Sequence, residues 1–157
     1  MPDCIDAQID ANLLTTLRTI TVANGYNTAI GFVERIRTVQ CINDRYPYTL
    51  VVQMEPDDIE EFGFRDDKLN YIIWHFDGVN DKEETANTEF VYQLRNVHAD
   101  IIKALKIDVT RGGLAQNTVI PRHGFGYFID DNIQEPGAWV LVEIERLVDT
   151  VNPYLLA

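Results

Sequence analysis

The apolar residues of this chain change period part-way along it, and that change limits the folds open to it. Ile9, Leu13, Leu17 and Ile20 recur at steps of four, four and three, and Leu14 widens the stripe. Such spacing predicts an amphipathic helix over 5–22, packed on one side. Asp3 and Asp6 stand where a cap and a first-turn acid would meet the exposed amides and the positive end of the helix dipole. Asn24-Gly25-Tyr26-Asn27 then supplies residues that tolerate positive φ, so the helix is expected to stop there. From Ala29 the period falls to two. Ile30, Phe32 and Ile36 are placed on one face of a half-buried strand, Arg35 and Arg37 on the other.

The same two periods organise the rest. In YTLVVQM, 48–54, Tyr48, Leu50, Val52 and Met54 alternate with Thr49 and Gln53, and a loop containing Pro47 separates this run from the one before. An antiparallel pair is expected. EPDDIEEFGFRDD, 55–67, gathers acids with Pro and Gly and reads as a solvated loop. KLNYIIWHFDGV, 68–79, is large and apolar on both faces, which predicts a central strand. Phe90, Leu94, Val97, Ile101 and Leu105, with Val91 and Ile102 beside them, predict a second helix over 86–105. Thr85 or Asn87 would cap it, and the turn-forming TRGG follows. A strand near Asn117–Pro121, a glycine-punctuated excursion and a long closing strand complete the chain. In the closing strand Val140, Val142 and Ile144 oppose Trp139, Leu141 and Glu143. Helix, strands, helix, strands predicts an α+β fold: one mixed, mainly antiparallel sheet with two main helices packed on one face. The 157 residues fit one domain, 1–157.

A net charge of −12 argues against binding a nucleic-acid backbone, which takes its affinity from Lys and Arg. It fits solubility by self-repulsion, or a basic partner. The first residues carry neither a basic nor an apolar leader pattern, and no apolar run approaches the roughly 18 residues of a membrane span. A soluble, cytosolic product is expected. Cys4 and Cys41 show no CxxC or Cys/His spacing and are expected to be free thiols.

Catalytic patterns are thin. His75 and Asp77 have an H-x-D spacing that could present two metal ligands on one strand face, with Asp81 as a third. The plainer reading, a strand histidine at a sheet edge followed by turn acids, is preferred. DGVNDKEE lacks the ligand order of a calcium loop. HGFGYF, 123–128, holds a G-x-G with no helix after it to receive a phosphate. Serine is absent, and neither cysteine stands at a spacing that pairs it with a histidine. No catalytic residue, metal or cofactor is therefore assigned. Two long irregular segments, 55–67 and 121–137, hold or adjoin Phe62, Phe64, Phe125, Tyr127 and Phe128; aromatics on such loops are typical anchors between proteins.

LLTTLRTITVANGYNTAIGFVER, followed by RYPYTLVV, resembles a pattern in the tail terminator (tail completion) proteins of tailed bacteriophages. There a helix ends in an Asn-Gly-Tyr-like turn, a strand with Val-x-Arg follows, and a Pro-aromatic pair enters the next strand. EFVYQLRNVHADIIKAL, the D-x-T-x-G-G of DVTRGG and the strand WVLVEIERL extend the likeness over nearly the whole chain. The resemblance implies a virion structural protein assembled in the host cytoplasm: a hexameric ring that caps the tail tube, stops its growth and meets neck or head-completion proteins, and the sheath if the tail contracts. From the net charge, an acidic lumen would let genome DNA pass without sticking, and no membrane is expected to be involved. Expected contact residues are Tyr26, Arg35, Arg37, Asp57, Asp58, Glu60, Glu61, Phe125 and Tyr127, with Tyr26 weighted towards a fold-determining role. Head–tail connectors are similar in size and composition and form the nearest alternative. A small metal-dependent enzyme built on His75 and Asp77 is a remote one.

Overall fold

The computed structural model describes residues 4–36, 46–54, 68–77, 84–130 and 133–147. In chain order the elements are α1 (Ile5–Arg18), a 3-10 turn (Val22–Asn24), β1 (Phe32–Ile36), β2 (Tyr48–Gln53), β3 (Lys68–Phe76), α2 (Glu84–Ile107), β4 (Ala115–Val119), β5 (His123–Asp130) and β6 (Ile133–Arg146). The fold is α+β. Its sheet runs β1-β2-β3-β6-β4, with β5 also bonded to β6. At 14 residues β6 is long enough to serve three neighbours. β3 takes one edge, from Gly137 to Glu145; β5 and β4 share the other, around Ile133–Val140 and Glu143–Arg146.

Every pairing is antiparallel except β1 with β2, which is parallel, Phe32 opposite Tyr48 and Ile36 opposite Val52. The antiparallel pairing expected of these runs is corrected. Residues 37–47 could span roughly 36 Å when extended, about twice the length of β1, so the connection is long enough to return to the start of the next strand.

Both helices pack on one face. Ile9, Leu13 and Leu17 of α1 and Val97, Ile101 and Leu105 of α2 meet Val33, Val51, Tyr71, Ile73, Val140, Val142 and Ile144 of the sheet. The opposite face buries Tyr48, Leu50 and Phe76 around a partly covered Trp74. Burial on both faces explains why 68–79 read as a central strand, and β3 is one.

The predicted first helix ends earlier, at Arg18, and a 3-10 turn carries the still-buried Ile20 into Gly25 at φ 81°. Cys4 holds the N-cap position without a side-chain cap, while Asp6 pairs with Arg146 at 2.6 Å. Ile30 lies in the helix-side core although Phe32 and Ile36 face the other way. Gly31, at φ 73°, breaks the alternation between them.

Candidate interaction surface

The glycine-punctuated run at 121–137 is not irregular. Most of it is β5 and the start of β6, joined as an antiparallel pair. His123, Phe125 and Tyr127 alternate as exposed residues with Gly124 and Gly126 on the opposite face. The glycines are needed there because the Trp139 indole lies across that face: a Cβ on Gly124 would stand 3.1 Å from its ring. The strand thus keeps two aromatics in solvent, Phe125 at 48% and Tyr127 at 68% exposure.

α2 closes over this edge. The His98 ring lies 4.8 Å from His123 and 4.8 Å from Phe125, centroid to centroid. Beside the pair runs a half-open groove of about 280 Å³, lined by Ile102 and Lys106 of α2 and by Thr118, Val119, Ile120 and His123 of the sheet edge. Helical spacing sets Arg95, His98, Ile102 and Lys106 on one stripe along it. His98 is buried and its Nε2 has no hydrogen-bond partner. Burial, with a smaller contribution from His123, holds its pKa below the ordinary imidazole value and keeps the ring neutral.

The stretch of sequence that supplies this seam differs in charge from the rest of the chain. From Arg95 to Tyr127 five cations meet two acids; elsewhere eight cations meet 23 acids. Within the seam Lys103 is committed, donating to Gly25 O at 2.9 Å and standing over the Tyr26 ring. Arg111 is fully buried. Arg95, Lys106 and Arg122 are exposed and carry no ion pair among the described residues.

No protein-family model matches the chain, and no curated protein matches it.

The residues singled out by sequence fall in different places. Tyr26 is 8% exposed, its ring in the helix-side core, so it determines the fold and offers little to a partner. Arg35 pairs with Asp10 at 2.9 Å and donates to Gln53 Oε1, bracing α1 against β1 and β2. Arg37, Asp57, Asp58, Glu60, Glu61, Phe62 and Phe64 lie outside the described residues. Phe125 and Tyr127 come together with His123 on one strand face.

His75 is not at a sheet edge but in β3, between β2 and β6, and wholly buried. Its Nδ1 is 2.8 Å from Thr49 Oγ1, and desolvation lowers its pKa to about 3. Asp77 lies just beyond the strand, partly buried, with its pKa raised by that burial. Asp81 lies outside the described residues, and among the described ones no three His, Cys, Asp or Glu side chains gather as a metal site. Cys4 is a free thiol, and Cys41 lies outside the described residues. Among the described residues no helix is long and apolar enough to cross a membrane.

Sequence reasoning did not find Arg95, His98 and Lys106. Their signal was available: a stretch of net positive charge, 95–127, overlaps a helical stripe.

Proposed function

We propose that this chain is a structural protein of a tailed-phage virion, a tail terminator that closes into a ring on the last ring of tail-tube protein and presents its far side to neck or head-completion proteins. One observation carries the reading. The pattern it shares with such proteins covers nearly the whole chain, and each part of it sits on the expected kind of element. The Asn24-Gly25-Tyr26 turn follows α1, Val33 and Arg35 lie in β1, and Pro47-Tyr48 enters β2. The D-x-T-x-G-G link, Asp108 to Gly113, joins α2 to β4, and WVLVEIERL lies in β6. A ring closed by rotation joins two unlike surfaces of each subunit. The sheet supplies unlike ends, with β1 at one and β4 and β5 at the other.

Mixing the purified protein with polymerising tail-tube protein tests the proposal. Negative-stain images should show tubes capped at one end by a sixfold ring, with mean tube length falling as the protein is added. Tubes that grow unaltered and uncapped would overturn it. A twelvefold ring that binds no tube would assign the chain to the head–tail connectors instead.

A further inference from the structure

We infer that His98 of α2 and His123 of β5 form a two-imidazole site for a late first-row divalent metal ion, of the class of Ni²⁺, Cu²⁺ and Zn²⁺. The site is independent of the ring reading and stands or falls without it. The two rings come from different elements, with centroids 4.8 Å apart and planes tilted by 50°. Two imidazoles that share one ion, through bonds of about 2.0–2.1 Å at a tetrahedral angle, have their centres roughly 5 Å apart. The backbones of α2 and β5 thus hold the rings at the spacing chelation needs. What is left to the ion is to turn them so that one nitrogen of each meets it.

His98 also carries an unmet atom. The residue is 7% exposed, and its buried Nε2 has no hydrogen-bond partner. Buried polar atoms are nearly always paired, so this one calls for a ligand the chain does not itself provide. Desolvation, and after it the neighbouring His123, hold the His98 pKa below its ordinary value, so the ring is neutral and one nitrogen keeps its lone pair. With the proton on Nδ1, that lone pair is on Nε2. Access is open from the other side: His123 is exposed and lines the half-open groove of about 280 Å³ between α2 and the sheet edge.

The surroundings select the class of ion. Imidazole suits nickel, copper and zinc, whereas Ca²⁺ and Mg²⁺ want oxygen ligands. Of the acids between 95 and 127, Asp100 is committed to Asn27 and Thr28, and Asp108 to Thr110 and Gly112. No carboxylate of this stretch is free for the ion, and water completes its shell. Two protein ligands, against the three or four of resident zinc sites, make the site weak and exchangeable. Lys106 stands eight residues beyond His98, about 12 Å along the helix, past the screening length of roughly 10 Å. Arg95, one turn the other way, is exposed and opposes the ion only through water. A bound ion ties α2 to β5 beside Phe125, whose ring centroid lies 4.8 Å from that of His98.

The test is thermal melting of the full chain, wild type, H98Q and H123Q, with NiCl₂ or ZnCl₂ and with MgCl₂ as the oxygen-seeking control. His123 is exposed, so H123Q should melt as wild type does without metal. The one other histidine, His75, is wholly buried with Nδ1 2.8 Å from Thr49 Oγ1, so the two variants isolate the pair. An ion that binds only the folded chain raises its melting temperature. Nickel at about 1 mM should raise that of wild type by at least about 3 °C, and both variants should lose most of the rise. Isothermal titration of Ni²⁺ should find one site per wild-type chain and binding at least about ten-fold weaker in H123Q. If H98Q melts early without metal, H123Q carries the comparison alone. A wild type that gains nothing from nickel or zinc overturns the site. So does a rise retained in H123Q, which assigns the ion to carboxylates elsewhere, and so does an equal rise with magnesium.

Discussion

Gly25 and Gly31 share a left-handed backbone for different reasons. At Gly25, φ 81°, a Cβ would meet nothing within 4 Å; at Gly31, φ 73°, it would lie 2.3 Å from the Pro47 carbonyl oxygen. Gly25→Ala should therefore cost only the conformational strain, about 1 kcal/mol. Gly31→Ala adds a clash with backbone that cannot step aside, and a loss of more than about 3 kcal/mol is expected. Urea unfolding of the two variants measures the difference. His75 illustrates a titration built into the core. Its folded pKa, about 3, lies below the unfolded value of 6.5, so between those values the unfolded chain binds the extra proton. Stability should fall as pH drops from 6.5 towards 3, by up to about 1.4 kcal/mol per pH unit from this residue. Replacing both members of the buried pair, T49V/H75L, leaves no orphaned donor and should flatten that part of the pH profile of unfolding.

The link between α2 and β4 shows how an element is ended and attached. Asp108 accepts from Thr110 N at 3.0 Å, from Thr110 Oγ1 at 2.7 Å and from Gly112 N at 2.6 Å. These bonds, the Thr110 hydroxyl foremost, pull its pKa below the ordinary carboxylate value. Its contribution is present above the unfolded pKa and is lost as pH falls through the folded one. Asp108→Ala should cost about 1 kcal/mol at neutral pH and less once the carboxyl is protonated. Arg111, at φ 50° and wholly buried, does the inward work. Its Nε donates to Thr118 Oγ1 at 3.1 Å and its Nη2 to Leu105 O, one of the carbonyls left over at the helix end. Arg111→Ala should destabilise by about 3 kcal/mol, from lost hydrogen bonds and a cavity together, again read by urea unfolding. The D-x-T-x-G-G of the sequence is thus a carboxylate-braced turn whose fourth residue is turned into the core. Gly112 and Gly113, at φ 72° and 84°, supply the positive angles that close it.

For the whole molecule, a net charge of −12 favours repulsion between copies at long range. The balance should tip near the isoelectric point, about pH 4.5, where repulsion vanishes. Turbidity should peak there, and R95Q/K106Q, having lost two positive charges, should peak at lower pH. Such aggregation is non-specific and follows net charge alone, so any variant that removes two cations should shift the peak alike.

Local spacing alone determined α1, α2, the central place of 68–79 and the faces of β6, because each rests on a period of 3.6 or 2 visible in the residues themselves. Leu13 and Ile101 had to be buried whatever they met. What spacing could not decide was partner choice. The hydrogen-bonding groups of β1 are the same for a parallel and an antiparallel neighbour, and only the path of the chain selects between them. HGFGYF looked like a loop because its glycines answer to Trp139, thirteen and fifteen residues further on, and not to their own neighbours. The candidate surface was half legible for the same reason. Phe125 and Tyr127 were found from composition, but His98 joins them only because α2 lies across the sheet edge. Patterns along a chain fix which side of an element is apolar; which elements meet, and what is left facing outward, is fixed only when the sheet closes around β6.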